Sequence, residues 1–290
     1  LFRSDWAWQT QTESDSRIKL YNQWLPHIHV DFHEQGINSP YYFAPAAEPY
    51  HEYITDWQRE LQTMIGKNHA KYFDKNNWLY FTKEVFDLLY PSYGDTYPTY
   101  NGAIGMTYEQ AGHSRGGLAI KTEDGDTLTL LDRITHHYTT GLSTVEVASQ
   151  NVNRIVDEFV KFFSEGKNNP KGEYNTYIIS KSNHIDKLND LQSWLDKNGI
   201  QYGTASANRS YKGFNYKTGK TGSVKINVGD LVISANQSKS VLVQVLFEPQ
   251  TTLRDTLTYD LTAWAIPYVY GLDAVAVKSD VKMSTAKRLA

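Results

Sequence analysis

The stretch "VDFHEQG", residues 30–36, decides how the first part of the chain folds. Ile28, Val30 and Phe32 alternate with His29, Asp31 and His33. A period of two is that of a strand with one apolar and one polar face. The strand ends on His33-Glu34, followed two residues on by Gly36. Such an ending has two readings. It is polar edging where a strand leaves the core, or the strand delivers a ligand to a site at its C-terminal end. A lone histidine in this place is more often structural than a ligand, so the strand by itself does not choose.

Working outward, the spacing of Ile18, Tyr21, Trp24 and Leu25 predicts a helix over Glu13–Trp24. Pro26 ends it, because proline disfavours helical geometry in the residue before it. A long helix is expected over Pro49–Ala70, with Tyr50, Tyr53, Ile54, Trp57, Leu61, Met64 and Ile65 on one face. Residues 90–102, "YPSYGDTYPTYNG", read as an ordered loop of the kind that lines sites. "AIGMTYEQAG", residues 103–112, reads as a short buried strand reaching Glu109. Ser143-Thr144-Val145-Glu146 has the form of a capping box and is expected to open an amphipathic helix that stops at Gly166. "GKNNPKGE", residues 166–173, is polar and rich in turn formers, and places a domain boundary between 1–166 and 174–290.

The second part restarts an α/β pattern. "YIIS" (177–180), "IQYGTAS" (200–206), "DLVIS" (230–234) and "SVLVQVLF" (240–247) are expected strands. Asn183 is the expected cap of a helix carrying Ile185, Leu188, Leu191 and Leu195, closed by Gly199. "TLTYDLTAWAIPYVYG", residues 256–271, is too apolar to lie free, and forms either local core or a contact with the first domain. The fold class is therefore α/β throughout.

Composition narrows function by exclusion. The 290 residues carry a formal net charge of −3, with no basic run to track a nucleic acid backbone. No stretch approaches the ~20 apolar residues of a membrane helix. The 7 Trp, 21 Tyr and 11 Phe can build a large core. There is no cysteine, which removes thiolate nucleophiles, thiolate zinc sites and disulfides. No signal peptide is visible. The absence of thiols fits an exported protein, periplasmic or extracellular, and an intracellular one equally well.

Glu109, at the end of an apolar run, is expensive to bury without a partner. It is either ion-paired, with Arg115 the nearest candidate, or a general base whose pKa desolvation raises. No H-x-x-E and no H-E-x-x-H motif is present among the nine histidines.

His33 and Glu109 together, 76 residues apart, say more than either alone. With Asp95 in the tyrosine-rich loop fourteen residues before Glu109, "DFHEQG" and "GMTYEQAG" resemble the zinc carboxypeptidases of the carboxypeptidase A type, in large bacterial forms with an added C-terminal domain. The resemblance covers about residues 1–165. It implies a mixed-sheet peptidase domain, with zinc as cofactor and a peptide or protein as substrate. His33 would be the third zinc ligand and Glu109 the general base that activates water. Glu34 beside the ligand would either orient neighbouring groups or stand in solvent. "RSDWAWQTQTES" resembles the segment whose Asn-Arg pair holds the substrate's terminal carboxylate, which implies Arg3; the asparagine is missing here. Tyr90 and Tyr93 are the nearest matches to the family's mobile tyrosine, while an ungapped match puts Asp87 there. The family's first two ligands come from an upstream H-x-x-E absent here, so the chain reads as the later half of a peptidase domain. The second domain resembles, more faintly, a class I glutamine amidotransferase-like α/β fold, and without cysteine it lacks that chemistry. The competing expectation is a zinc-free, inactive binding or scaffold protein on a degenerate peptidase fold.

Overall fold

The computed structural model describes residues 4–112, 118–253, 258 and 263–285. Arg3, His113, Arg115 and Tyr259 lie outside the described residues. Helix α1 (Thr12–Trp24) leads into β1 (Ile28–Gln35). Strands β2 (Tyr41–Tyr42) and β3 (Ala47–Tyr50) precede helix α2 (Asp56–Asn76). Then come β4 (Tyr80–Phe81), β5 (Asp87–Leu88), the five-residue helix α3 (Thr96–Tyr100) and β6 (Ile104–Ala111). A hairpin of β7 (Ala119–Lys121) and β8 (Thr127–Thr129) opens onto α4 (Leu130–Gln150) and α5 (Val152–Asn168).

Strands β1 and β6 pair in parallel in a sheet of order β1-β6-β2-β4, with β1 at its edge among the described residues. Their apolar face looks toward α2 and α4: Phe43, Leu61, Ile65, Phe73, Met106 and Tyr108 are buried in one cluster. Phe32 meets Tyr108 edge-on there, at 5.4 Å between centroids.

Two helix starts differ from the sequence expectation, and hydroxyl use explains both. Helix α2 begins at Asp56, not Pro49, because Ala47–Tyr50 pairs with β5 and Thr55 forms a reciprocal capping box with Gln58. The box at Ser143 is not a helix start. It lies in the middle of α4, whose own box is Thr129 with Asp132. The hydroxyls of Ser143 and Thr144 instead make tertiary bonds, to His69 Nδ1 at 2.7 Å and to the Tyr108 hydroxyl at 2.7 Å. Gly166 falls inside α5, which runs on to Asn168.

The second half is built on β9 (Thr176–Ile179), α6 (Ile185–Lys197), β10 (Gly203–Ala205), β11 (Arg209–Asn215), β12 (Lys220–Ile226) and β13 (Leu231–Ser234). Helices α7 (Ser240–Phe247) and α8 (Ile266–Val269) and strands β14 (Ala274–Val277) and β15 (Met283–Thr285) complete it. Its seven strands, in order β12-β11-β14-β9-β13-β10-β15, pair antiparallel throughout. The likeness to an amidotransferase-type unit therefore finds no parallel pair in this sheet. "SVLVQVLF" is helix α7, not a strand: Leu242, Val243, Val245, Leu246 and Phe247 are fully buried on all sides. A short run that is apolar all round carries no period to separate helix from strand. His184, not Asn183, caps α6.

The apolar core runs across the expected boundary. One cluster joins Trp6, Ile18, Tyr97 and Tyr100 to Trp194, Leu195, Phe247 and Trp264. Trp264 donates to the Val245 carbonyl at 3.0 Å, and its ring lies 6.1 Å from that of Tyr90. Buried polar bonds cross too. Gln9 Nε2 and the Tyr97 hydroxyl both donate to Asn198 Oδ1, at 2.9 and 2.5 Å, and Trp194 Nε1 donates to the Ala7 carbonyl at 2.7 Å. Among the described residues no helix is long and apolar enough to cross a membrane.

A buried donor that loses its acceptor costs about 1–3 kcal/mol. Asn198→Ala, which strips the acceptor from both Gln9 and Tyr97, is expected to lower stability by about that much. Denaturant melts followed by aromatic fluorescence and by far-ultraviolet dichroism should shift together, since one core spans both halves; two separated transitions would contradict it.

Candidate active site

Parallel pairing fixes the site. In the β1–β6 ladder Asp31 stands opposite Thr107, and His33 opposite Glu109. Residues two apart on a strand share a face, so these four side chains form one patch on the face away from α2 and α4. The loop before α3 covers it. Asp95 caps α3, accepting from the Thr96 amide at 2.7 Å, and its other oxygen accepts from the Thr107 hydroxyl at 2.8 Å. This close approach needs Gly105, where a Cβ would come within 1.9 Å of the Asp95 carbonyl oxygen.

The ring of His33 lies between two carboxylates. Nε2 is 2.8 Å from Asp31 Oδ2, and Nδ1 is 3.5 Å from Glu109 Oε1. Glu109 is 2 % exposed, and its Oε2 has no hydrogen-bond partner among the described residues. Burial alone would lower the pKa of His33; the bonds to Asp31 and Glu109 and their charges outweigh it and raise the value to about 9. Burial raises the Asp95 carboxyl to about 6 against the bond from Thr107, with the charge of Asp31 adding to the rise.

A cavity of about 40 Å³ is lined by Asp31, His33, Asp87, Tyr93, Asp95 and Glu109, among others. A water needs on the order of 10–15 Å³ of such space, so the cavity admits a water or an ion but no side chain.

The sequence-predicted residues divide accordingly. His33 and Glu109 come together, and Tyr93 and Asp87 line the same cavity. Tyr90 does not line it: its hydroxyl accepts from Trp8 Nε1 at 2.6 Å and its ring stands edge-on to Tyr93. Arg3 lies outside the described residues. Glu34 is ion-paired with Arg133 on α4, on the other face of the sheet from His33. Thr107 was not singled out by sequence reasoning. Its signal was there, two residues before Glu109 on the same strand face.

The donor set can be tested against zinc. A catalytic zinc takes three protein ligands. The described residues hold no group of three or more His, Cys, Asp or Glu arranged to bind a metal ion. His33 Nδ1, 3.5 Å from Glu109 Oε1, could fill one ligand position beside a buried carboxylate.

A histidine whose folded pKa is raised stabilises the fold fully below its unfolded value, about 6.5, and that contribution is lost as pH rises through about 9. Nuclear magnetic resonance of the His33 Cε1 proton should give a midpoint near 9. Urea melts should show stability falling between pH 6.5 and 9 in the wild type and a flatter profile in His33→Gln.

Compared with family models, with curated proteins and with solved structures, the chain matches none.

Proposed function

We propose that this chain contributes one metal ligand and the general base to a zinc-dependent peptidase of the carboxypeptidase type. The observation that carries the reading is the register of β1 on β6, which sets an imidazole and a buried carboxylate side by side over a water-sized cavity. The sequence resemblance requires that pairing, and nothing in a lone strand would produce it. The remaining ligands come from outside the described residues, and an exported setting belongs to the same proposal.

In this reading Nδ1 of His33 holds the metal, since Nε2 is engaged by Asp31. Zinc supplies Lewis-acid polarisation of the scissile carbonyl and makes a water more acidic. Glu109 accepts the proton of the attacking water on a carboxylate oxygen and passes it to the leaving amine nitrogen. Burial keeps bulk water from competing for that proton. Tyr93 and Asp87 line the same cavity. Arg3 is the proposed partner of the substrate's terminal carboxylate, through a charge-assisted pair.

A second reading has its own observation. In the set of Asp31, His33 and Glu109 a protonated ring can stand between the two carboxylates without a metal, in a good bond to Asp31 and a longer contact to Glu109. A zinc-free scaffold on a degenerate peptidase fold would look like this.

Zinc titration and kinetics separate the two. With one imidazole available, the 290-residue chain after chelator washing should hold zinc weakly. Stoichiometric zinc would mean that ligands were overlooked, with His29, His113 and Asp31 the first to test. In a polypeptide carrying the whole ligand set, Glu109→Gln should lower turnover of C-terminally free peptides by about 10²–10⁴ and leave zinc content unchanged. Near wild-type turnover would remove Glu109 from its role, and a polypeptide that neither holds zinc nor cleaves peptides would favour the scaffold.

A further inference from the structure

We propose that Asp31 is the positioning residue of this site. Its carboxylate holds the His33 ring by Nε2, so that Nδ1, which faces Glu109, is the nitrogen that gives up its proton when the ring becomes neutral. The idea rests on the peptidase reading for what Nδ1 faces, and on geometry alone for which nitrogen is held.

A neutral imidazole has one donor and one acceptor nitrogen, and the bond made by one decides the role of the other. The two contacts of His33 are unequal. The 2.8 Å from Nε2 to Asp31 is the length of a charge-assisted hydrogen bond, whereas 3.5 Å from Nδ1 to Glu109 exceeds a good one. Asp31 and His33 share a strand face with Cα atoms about 6.6 Å apart, two rises of about 3.3 Å. The imidazole can therefore lean back along the strand to meet the shorter side chain. Without that bond the ring has a poorer choice: Nδ1–H toward the buried carboxylate of Glu109, which spends the nitrogen that faces the cavity.

The surroundings are shaped to keep Asp31 in place. A Cβ on Gly94 would lie 1.9 Å from Asp31 Oδ2 and 2.7 Å from its Cγ, so only glycine leaves room for the carboxylate. Trp6 Nε1 lies 3.1 Å from the same point, with no hydrogen-bond partner among the described residues. The Arg17 guanidinium stacks over the Trp6 ring at 3.9 Å; burial lowers its pKa, and the charges of Asp31 and Asp5 oppose that shift. The titratable groups around the Asp31–His33 pair include Arg17 and His29, both of which feel the charge of Asp31, and Asp87, Asp95 and Glu109, which line the same cavity. The glycine of the tyrosine-rich loop and the aspartate of β1 are matched parts of one holding device.

The test reads the tautomer directly. Nitrogen–proton correlation spectra of the imidazole-labelled chain at pH 10, with His33 assigned by His33→Gln, should show a protonated Nε2 and a bare Nδ1. Asp31→Ala should abolish that fixed pattern, giving an averaged or Nδ1-protonated ring. Gly94→Ala, which leaves the carboxylate in the sequence but takes its space, should do the same. Should Asp31→Ala fail to fold, Gly94→Ala decides alone. A protonated Nδ1 in the wild type overturns the proposal, as does a wild-type pattern in either variant. A second readout is coupling: Gly94→Ala should lower the melting temperature in the wild type and much less in the Asp31→Ala background, while equal losses in both would overturn the shared-space argument. If the tautomer behaves as expected and a polypeptide carrying the whole ligand set shows no zinc or peptide chemistry, the positioning role stands and only the peptidase reading falls.

Discussion

The parallel ladder between β1 and β6 is the constraint on which the candidate site depends. Parallel strands cannot be joined by a tight turn, so the 68 or so residues between them are free to build α2, the short strands and α3. The register then brings back two side chains that the sequence holds 76 residues apart. A slip of one residue would turn Glu109 onto the apolar face and place a ring beside His33 instead. The register is held by burial on the other face, where Met106 and Tyr108 are enclosed by α2 and α4. The apolar side of the sheet thus fixes the chemistry of the polar side.

How much of this was legible in the sequence follows from where its periods are clean. The alternation from Ile28 to His33 marks β1, and the apolar run to Glu109 marks β6, with both ends close to where the structure puts them. The tyrosine-rich segment was legible as an ordered cover, though α3 within it was not. Long-range pairing leaves no local trace, so the alignment of His33 with Glu109 came only by resemblance. Ser143 and Thr144 misled because a hydroxyl that bonds a distant histidine or tyrosine looks, in sequence, like one that caps a helix. Helix α7 misled because total burial erases the difference between the faces of an element. The antiparallel order of the second sheet was hidden too, since strand spacing does not reveal strand direction.

The two halves share more than a linker. Asn198 at the end of α6 accepts from Gln9 and Tyr97, and Tyr97 belongs to the short helix that Asp95 caps. The loop that covers the cavity is therefore tied on one side to β6 and on the other to the second half. Rigid cover at this point keeps Tyr93 and Asp95 at fixed distances from the imidazole, which a free surface loop would not.

Among the described residues β1 is bonded on one side only, to β6. Its C-terminal end, with His33, is the last part of that single ladder, and Phe32 on the opposite face is 46 % exposed. Such an end opens by breaking a few bonds, long before the molecule unfolds. The precision with which the imidazole is held is then a local property. It is governed by how seldom the last rungs of one ladder unzip, and two proteins of equal global stability that differ there would hold this nitrogen with very different fidelity.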